Sequence, residues 1–153
     1  PSVKSIDKQQ YYGNPQNAFW RIIGVLFNQE YAMGYEQKKE LLTSKHIALW
    51  DVLKFCERQG SLDASIDKET MEINDFVGLF GNYPKLTHVF FNGSMADSSY
   101  KKLVLPLVSE LYPSIVYSKL PSTSPAYAAM KFEDKLKAWK LIKDSLKINL
   151  AVD

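Results

Sequence analysis

The residue types in which this sequence is poor already exclude several kinds of protein. Among 153 residues there is one cysteine, Cys56, and there are two histidines, His46 and His88. A single cysteine cannot form a disulfide within the chain or a four-cysteine iron–sulfur cluster, and it is typical of a reduced, cytoplasmic setting. With so few nitrogen and sulfur ligands we expect no metal centre and no bound cofactor.

Long apolar runs, internal repeats and a strong charge bias are also missing. No stretch approaches the length of a membrane-spanning helix and no signal peptide is visible, so no membrane partner is expected. The net charge is only +2, which permits nucleic-acid binding through a local patch but does not require it. Hydrophobic residues are abundant, at 46% of the chain, which suits one globular domain with a sizeable core.

Hydrophobic periodicity predicts helices that alternate with strands. Helices are predicted over residues 15–27, 36–44, 74–83, 97–111 and 124–146. Buried strands are predicted over residues 47–53 and 87–91, and a further strand over residues 114–120. We expect the fourth helix to break or end near Pro106. The alternation favours a parallel sheet with helices on both faces, in which sites lie at the carboxyl ends of the strands. That rule brings residues 92–93 and 121–124 to one edge of the sheet.

The stretch YYGNPQNAFW, at residues 11–20, has the composition of a turn that leads into a helix. Asn14 is a good N-cap and Pro15 suits the first helical position, which puts Asn17 in the first turn. Apolar residues at helical spacing predict a buried face made of Phe19, Ile22, Ile23, Leu26 and Phe27. A neutral amide at a helix start can position a water molecule or read a polar ring, and a capped helix with a solvated Asn17 is the alternative.

This stretch resembles the H-P-x-N-x-F-W signature of the uracil-DNA glycosylase superfamily, in the branch of mismatch-specific enzymes and hypoxanthine-DNA glycosylases. Further blocks follow in the expected order: IALWDV at 47–52 with CER at 56–58 and GSLD at 60–63, FFNG at 90–93, and LPSTSPA at 120–126. The last block is similar to the second motif of the hypoxanthine branch. Each block alone is weak, but together they cover most of the chain.

The resemblance implies a three-layer α/β/α sandwich with a central, mainly parallel sheet, formed by a single glycosylase domain over residues 1–153. Relatives place a hydrophobic strand before the polar loop at residues 1–7, so we expect the chain to lack its first strand. If that strand precedes residues 14–17, their turn also lies at the carboxyl edge of the sheet.

The same resemblance implies a monofunctional DNA repair enzyme. Such an enzyme flips a deaminated base, hypoxanthine first, out of the duplex, hydrolyses its N-glycosidic bond and leaves an abasic site. Its partner would be double-stranded DNA with a damaged or mismatched base, and we expect the chain to act as a monomer inside the cell. No lysine is marked as a Schiff-base nucleophile by an apolar sequence context, which agrees with a monofunctional enzyme.

The candidate site residues form three groups. The catalytic candidates are Asn17 and Asn92. In the hypoxanthine branch, the asparagine that matches Asn17 is held to place the water molecule. The amide of Asn92 can both donate and accept hydrogen bonds at a lactam edge. The base-binding candidates are Tyr11, Tyr12, Gly13, Asn14 and Phe19. The DNA-binding candidates form a serine-rich turn at a predicted helix start, where N–H groups and hydroxyls can hold a phosphate: Ser122, Thr123, Ser124, Pro125 and Ala126. An ordinary turn at Asn92 and an ordinary capped helix at residues 122–126 are the alternatives.

Two residues depart from the family pattern, and three other functions stay open. Asn14 stands where the family has His, and Tyr127 stands where relatives often have Asn after Ser-Pro-Ala, which makes a contact near the minor groove apolar.

The alternative functions are a glycosylase of the same fold for uracil or mismatched bases, a non-catalytic nucleic-acid-binding module, and a small-molecule hydrolase. The last would use Ser122 or Ser124 and is disfavoured, because neither serine lies in a nucleophile elbow.

Overall fold

The computed structural model describes residues 12, 16–29, 34–55 and 72–152 of the chain. The helices there are α1 (Phe19–Leu26), α2 (Tyr35–Ser44), α3 (Phe76–Asn82), α4 (Ser94–Leu103), α5 (Leu105–Val108) and α6 (Phe132–Val152), and the strands are β1 (Leu53–Phe55), β2 (Glu72–Ile73), β3 (His88–Asn92) and β4 (Val116–Leu120). These elements fall into two compact units. One unit takes the described residues up to 49 and from 121 onwards, and the other takes those within residues 50–120.

A parallel pair of strands organises the unit within residues 50–120. Strand β3 pairs with β4 in parallel, with Asn92 opposite Leu120, and α4 and α5 provide the crossover that a parallel pair requires. Strands β1 and β2 form a separate antiparallel pair. The main cluster of buried apolar residues in this unit consists of Phe76, Leu79, Phe80, Phe91, Tyr100, Val104 and Val108. The parallel pair with its helices confirms the predicted α/β class.

In the other unit, α1 presents the apolar face that its sequence predicts. Phe19, Ile22, Ile23 and Leu26 are buried, and Phe27, just beyond the helix, is half-buried. Helix α1 contacts α6, and the Phe19 ring meets the Trp139 ring edge-on, with centroids 5.7 Å apart. The apolar residues at helical spacing on the two helices therefore pack against each other.

Two of the predicted elements are wrong in their extent. The long helix begins at Phe132 rather than at residue 124, because residues 124–127 close a turn in which the Tyr127 N–H donates to the Ser124 carbonyl. The apolar run at 47–52 has no regular structure, and the strand is confined to β1. Asn74 bonds to the end of that run, through Nδ2 to the Asp51 carbonyl and through its N–H to the Val52 carbonyl.

Other boundaries differ by a few residues, and one predicted break is confirmed. Helix α3 begins at Phe76 with Asp75 as its cap, and α4 begins at Ser94, three residues before the predicted start. The break in the predicted helix at 97–111 falls at Val104, just before Pro106, which has no N–H for the helical ladder. None of the described helices is both long and apolar enough to cross a membrane.

A pair of tyrosines joins helix α4 to strand β4. Tyr100 is 1% exposed, and its hydroxyl lies 2.9 Å from the Tyr117 hydroxyl. The Phe91 ring stacks on Tyr117 and also contacts Tyr100, at centroid distances of 5.9 and 5.0 Å. Burial raises the pKa of the Tyr100 hydroxyl well above its usual range, so Tyr100 stays neutral.

Because the Tyr100 and Tyr117 hydroxyls are hydrogen-bond partners, removing one of them should lower the free energy of unfolding more than removing both. Tyr117→Phe leaves the buried Tyr100 hydroxyl without its partner, and we expect the free energy of unfolding to fall by about 1–3 kcal/mol. The double variant Tyr100→Phe, Tyr117→Phe should lie closer to the wild type. Urea unfolding measures the difference, with Tyr83→Phe, at an exposed position, as the control. A double variant that loses the sum of the two single losses would contradict this coupling.

Candidate functional site

Asn17 lies directly before helix α1 rather than inside its first turn. Its Oδ1 accepts the Phe19 N–H at 2.9 Å, an Asx turn that satisfies one of the N–H groups exposed at the helix start. This bond fixes which end of the amide is oxygen, because an NH₂ group could not face that N–H. It leaves Asn17, which is half-buried, with a second lone pair on Oδ1 and with its NH₂ donors. The predicted cap, Asn14, lies outside the described residues.

The aromatic residues of the first motif stack on one another. Phe19 is 3% exposed, and its ring packs against Tyr12 at 4.2 Å, with 28° between the rings. The structure therefore places Phe19 in the core and Tyr12, which is half-buried, above it. Tyr12 has a φ of 54°, the left-handed conformation that costs a residue with a side chain of order 1–3 kcal/mol. The other base-binding candidates, Tyr11 and Gly13 among them, lie outside the described residues.

One backbone hydrogen bond brings the first motif together with the serine-rich segment. The Ala18 N–H, next to Asn17, donates to the Thr123 carbonyl at 3.0 Å. Thr123 is 1% exposed, so this contact is shielded from water. Two segments that are far apart in the sequence, and that resemble two motifs of the same family, thus meet at a defined point.

The serine-rich segment is a folded turn, which we name the serine loop (residues 121–127). Ser122 Oγ accepts the Ser124 N–H at 3.1 Å, and Ser124 Oγ accepts the Ala126 N–H at 3.2 Å. Trp139 of α6 fixes the start of the loop by donating from Nε1 to the Pro121 carbonyl at 2.9 Å. The N–H groups of Ser124 and Ala126 are therefore used within the loop, and the two serine hydroxyls keep their own protons for donation.

The sequence analysis did not single out Lys135 among the lysines of α6. Lys135 is only 6% exposed, and its Nζ lies 5.2 Å from the centroid of the Tyr127 ring. Burial lowers the pKa of the Lys135 ammonium from its usual range. The helical spacing separates Lys135 from the exposed Lys137, because Lys135 lies four residues before Trp139 and seven before Ile142, which are both buried.

In the unit within residues 50–120, Asn92 occupies the position that the sequence predicts, at the carboxyl end of a strand. It is the last residue of β3, and Gly93 follows with a φ of 93°, a conformation that favours glycine. The Gly93 N–H donates to the Leu120 carbonyl at 3.0 Å, which holds the turn against the end of β4. Among the described residues, no three His, Cys, Asp or Glu side chains come together as a metal site would require.

The chain is similar in sequence to proteins that share one name. No family model matches the chain. It is 50% identical over 115 residues to a protein named hypoxanthine DNA glycosylase from Methanosarcina acetivorans, a match that covers 69% of this chain and 72% of that protein. A protein of the same name from Methanosarcina barkeri is 42% identical over 94 residues, which covers 61% of this chain and 58% of that protein.

A solved structure supports the same relationship. A solution NMR structure from M. acetivorans, provisionally described as a uracil DNA glycosylase, is similar to this chain with a TM-score of 0.77. The two sequences are 39% identical, and the match covers 96% of this chain and 86% of the other. This likeness confirms the predicted α/β fold of the glycosylase type.

The bond from Trp139 to Pro121 should hold the serine loop at the start of α1. Trp139→Phe removes the donor and part of the packing on Phe19, so we expect the free energy of unfolding to fall by about 1–3 kcal/mol. Exchange of the Ala18 amide proton should also become faster, because its acceptor lies in the loosened loop. Leu141→Ala, on an exposed part of α6, serves as the control. Unchanged exchange at Ala18 in the Trp139 variant would show that the loop is held by other contacts.

Proposed function

This chain belongs to the hypoxanthine branch of the uracil-DNA glycosylase superfamily, and we propose that it hydrolyses the bond between hypoxanthine and deoxyribose in DNA. The products are the free base and a strand with an abasic site. Its partner is double-stranded DNA, on which we expect one copy of the chain to act inside the cell. The observation that supports this proposal most is the Asn17 amide, fixed by the Phe19 N–H next to the backbone bond that ties α1 to the serine loop.

The reaction requires a base that has left the stack, since the bond to be broken is inaccessible inside the duplex. As the base departs with the bonding electrons, positive charge grows on the sugar. The oxygen of a water molecule then bonds to the sugar carbon, and the proton that it loses balances the charge of the departing base. The protein must therefore extrude the base, place the water and stabilise the separating charges.

We propose that Asn17 places the water. One lone pair of its Oδ1 accepts the Phe19 N–H, and the second can accept a hydrogen of the water. A neutral amide is too weak a base to remove the proton itself, so its contribution is orientation. Tyr12 is half-buried and its ring is anchored on Phe19, which supports a role in stacking on the extruded base.

The serine loop supplies a contact to the DNA strand in this proposal. The hydroxyls of Ser122 and Ser124 each accept a backbone N–H, so each can donate its own proton to a phosphate oxygen. On the motif resemblance alone, we also propose that Asn92 reads the lactam edge of the base. Its NH₂ group would donate to the base carbonyl and its oxygen would accept the ring N–H.

The proposed reaction is tested with labelled duplexes that carry hypoxanthine, uracil or xanthine. After incubation, alkali cleaves abasic sites and reports base release as strand breaks. We expect breaks at hypoxanthine, because the relatives in this branch carry that name. Breaks at uracil alone would replace the proposed substrate by the one in the description of the NMR structure. DNA binding without breaks at any base would favour a non-catalytic binding module.

Two substitutions of Asn17 separate catalysis from helix capping. Asn17→Ala removes the amide and the cap, and we expect base release to slow by about 100-fold or more while DNA binding stays near normal. Asn17→Ser keeps an oxygen that can accept the Phe19 N–H, so its thermal stability should match the wild type. Single-turnover rates compare the two, and we expect both variants to be slow. A serine variant with the wild-type rate would exclude the amide from the reaction.

A further inference from the structure

Lys135 is a buried cation without a carboxylate partner. Its residue is 6% exposed, and among the residues that the structure describes no ion pair includes it. Its two acidic neighbours on α6, Glu133 and Asp134, are both exposed. The contact described for its Nζ is the Tyr127 ring, at 5.2 Å.

Such an arrangement is unfavourable in the free protein. Lysines commonly bury their aliphatic stem and keep the ammonium in water, and a buried charge is normally paired. An aromatic ring face compensates a cation only in part. Burial lowers the pKa of the Lys135 ammonium, which agrees with a charge that lacks a full partner. The pattern indicates an anion that joins the site when a ligand binds.

The position of Lys135 indicates which anion this is. The ring that covers it, Tyr127, ends the serine loop, whose Ser122 and Ser124 hydroxyls keep protons to donate. Tyr127 is itself 41% exposed, and its N–H is fixed by the Ser124 carbonyl. A DNA strand that lies along the loop would bring its phosphates to these hydroxyls and to the Tyr127 ring, which contacts the Lys135 ammonium.

We propose that Lys135 is a phosphate-binding residue of the DNA interface and that the Tyr127 ring covers its ammonium until DNA binds. The proposal rests on the proposed function, which brings the strand to the serine loop. On binding, the ammonium donates to a phosphate oxygen in a charge-assisted hydrogen bond, and the ring moves aside or stacks on the strand. No covalent step is involved, and the lysine keeps its proton throughout.

The salt dependence of DNA binding tests this proposal. Lys135→Met keeps most of the side-chain volume and removes the charge, and Lys137→Met removes an exposed charge from the same helix. Each protein is titrated with the same hypoxanthine-containing duplex at several salt concentrations. A lysine that neutralises one phosphate contributes about 0.9 to the slope of log affinity against log salt. We expect the slope of Lys135→Met to be smaller by about that amount, and the slope of Lys137→Met to equal that of the wild type.

A stability measurement separates DNA binding from a structural role of the lysine. If the free protein gains little from the buried ammonium, Lys135→Met should unfold at the same temperature as the wild type or higher. The pH dependence follows from the lowered pKa. The unfolded state holds the Lys135 proton more tightly than the folded state does. Any amount by which the wild type is less stable than Lys135→Met should therefore shrink as pH rises from the lowered pKa towards 10.5.

The possible outcomes are distinct. A folded Lys135→Met variant with an unchanged salt slope would overturn the proposal, and so would equal losses of slope in both lysine variants. Tyr127→Ala provides a second test, because it leaves the Lys135 charge in place. This variant should keep the wild-type salt slope. If its slope were smaller by about one unit, the effect would belong to the serine loop and not to the lysine. Base release by the wild type is measured in parallel. A wild type that releases no hypoxanthine would refute the proposed function alone, whereas the slopes decide the role of Lys135.

Discussion

The hydrogen bond from the Ala18 N–H to the Thr123 carbonyl is the constraint on which the candidate site depends. It joins the start of α1 to the serine loop, and both partners are backbone atoms, so it is independent of the side chains at these positions. Thr123 is buried, which keeps water from competing for the bond. Trp139 holds the same loop from the side of α6, through the Pro121 carbonyl. The bond and the tryptophan contact together hold the serine loop beside the start of α1.

Near this contact, the side chains of Asn17, Ser122 and Ser124 each use one hydrogen-bonding group within the protein and keep another that a ligand could use. The Asn17 oxygen accepts one N–H and keeps a lone pair, and the hydroxyls of Ser122 and Ser124 accept N–H groups and keep their protons. Such groups are oriented before a ligand arrives, so binding costs little further ordering. Lys135 differs from them, because its charge is buried with only an aromatic ring as a described partner.

Much of the fold could be predicted from the sequence because its signals are local. The apolar spacing of α1, the strand that ends at Asn92 and the break before Pro106 each depend on a few neighbouring residues. The start of α6 could not be predicted, because Ser124 and Pro125 are typical of a helix start and here form a turn. The apolar run at 47–52 was misread as a strand, since its periodicity does not reveal that Asn74 would bond to it.

The candidate site was predicted less completely than the fold, for a physical reason. Motif resemblance selected Asn17, Asn92 and the serine loop as candidates and also proposed Phe19 for base binding, whereas the helical spacing correctly placed Phe19 in the core. The burial of Lys135 could not be predicted, because a lysine on an apolar helix face commonly extends its ammonium into water. Tyr127, one of the two departures from the family pattern, is the residue whose ring contacts the Lys135 ammonium.

The most direct test of the central claim is to identify the released product by mass spectrometry. The wild-type chain is incubated with a hypoxanthine-containing duplex, without alkali, and both the small molecules and the strands are analysed. Hydrolysis at the N-glycosidic bond predicts free hypoxanthine and an unbroken strand that carries one abasic site, in equal amounts. An intact hypoxanthine-containing strand, or hypoxanthine released only as a nucleoside or nucleotide, would contradict the account.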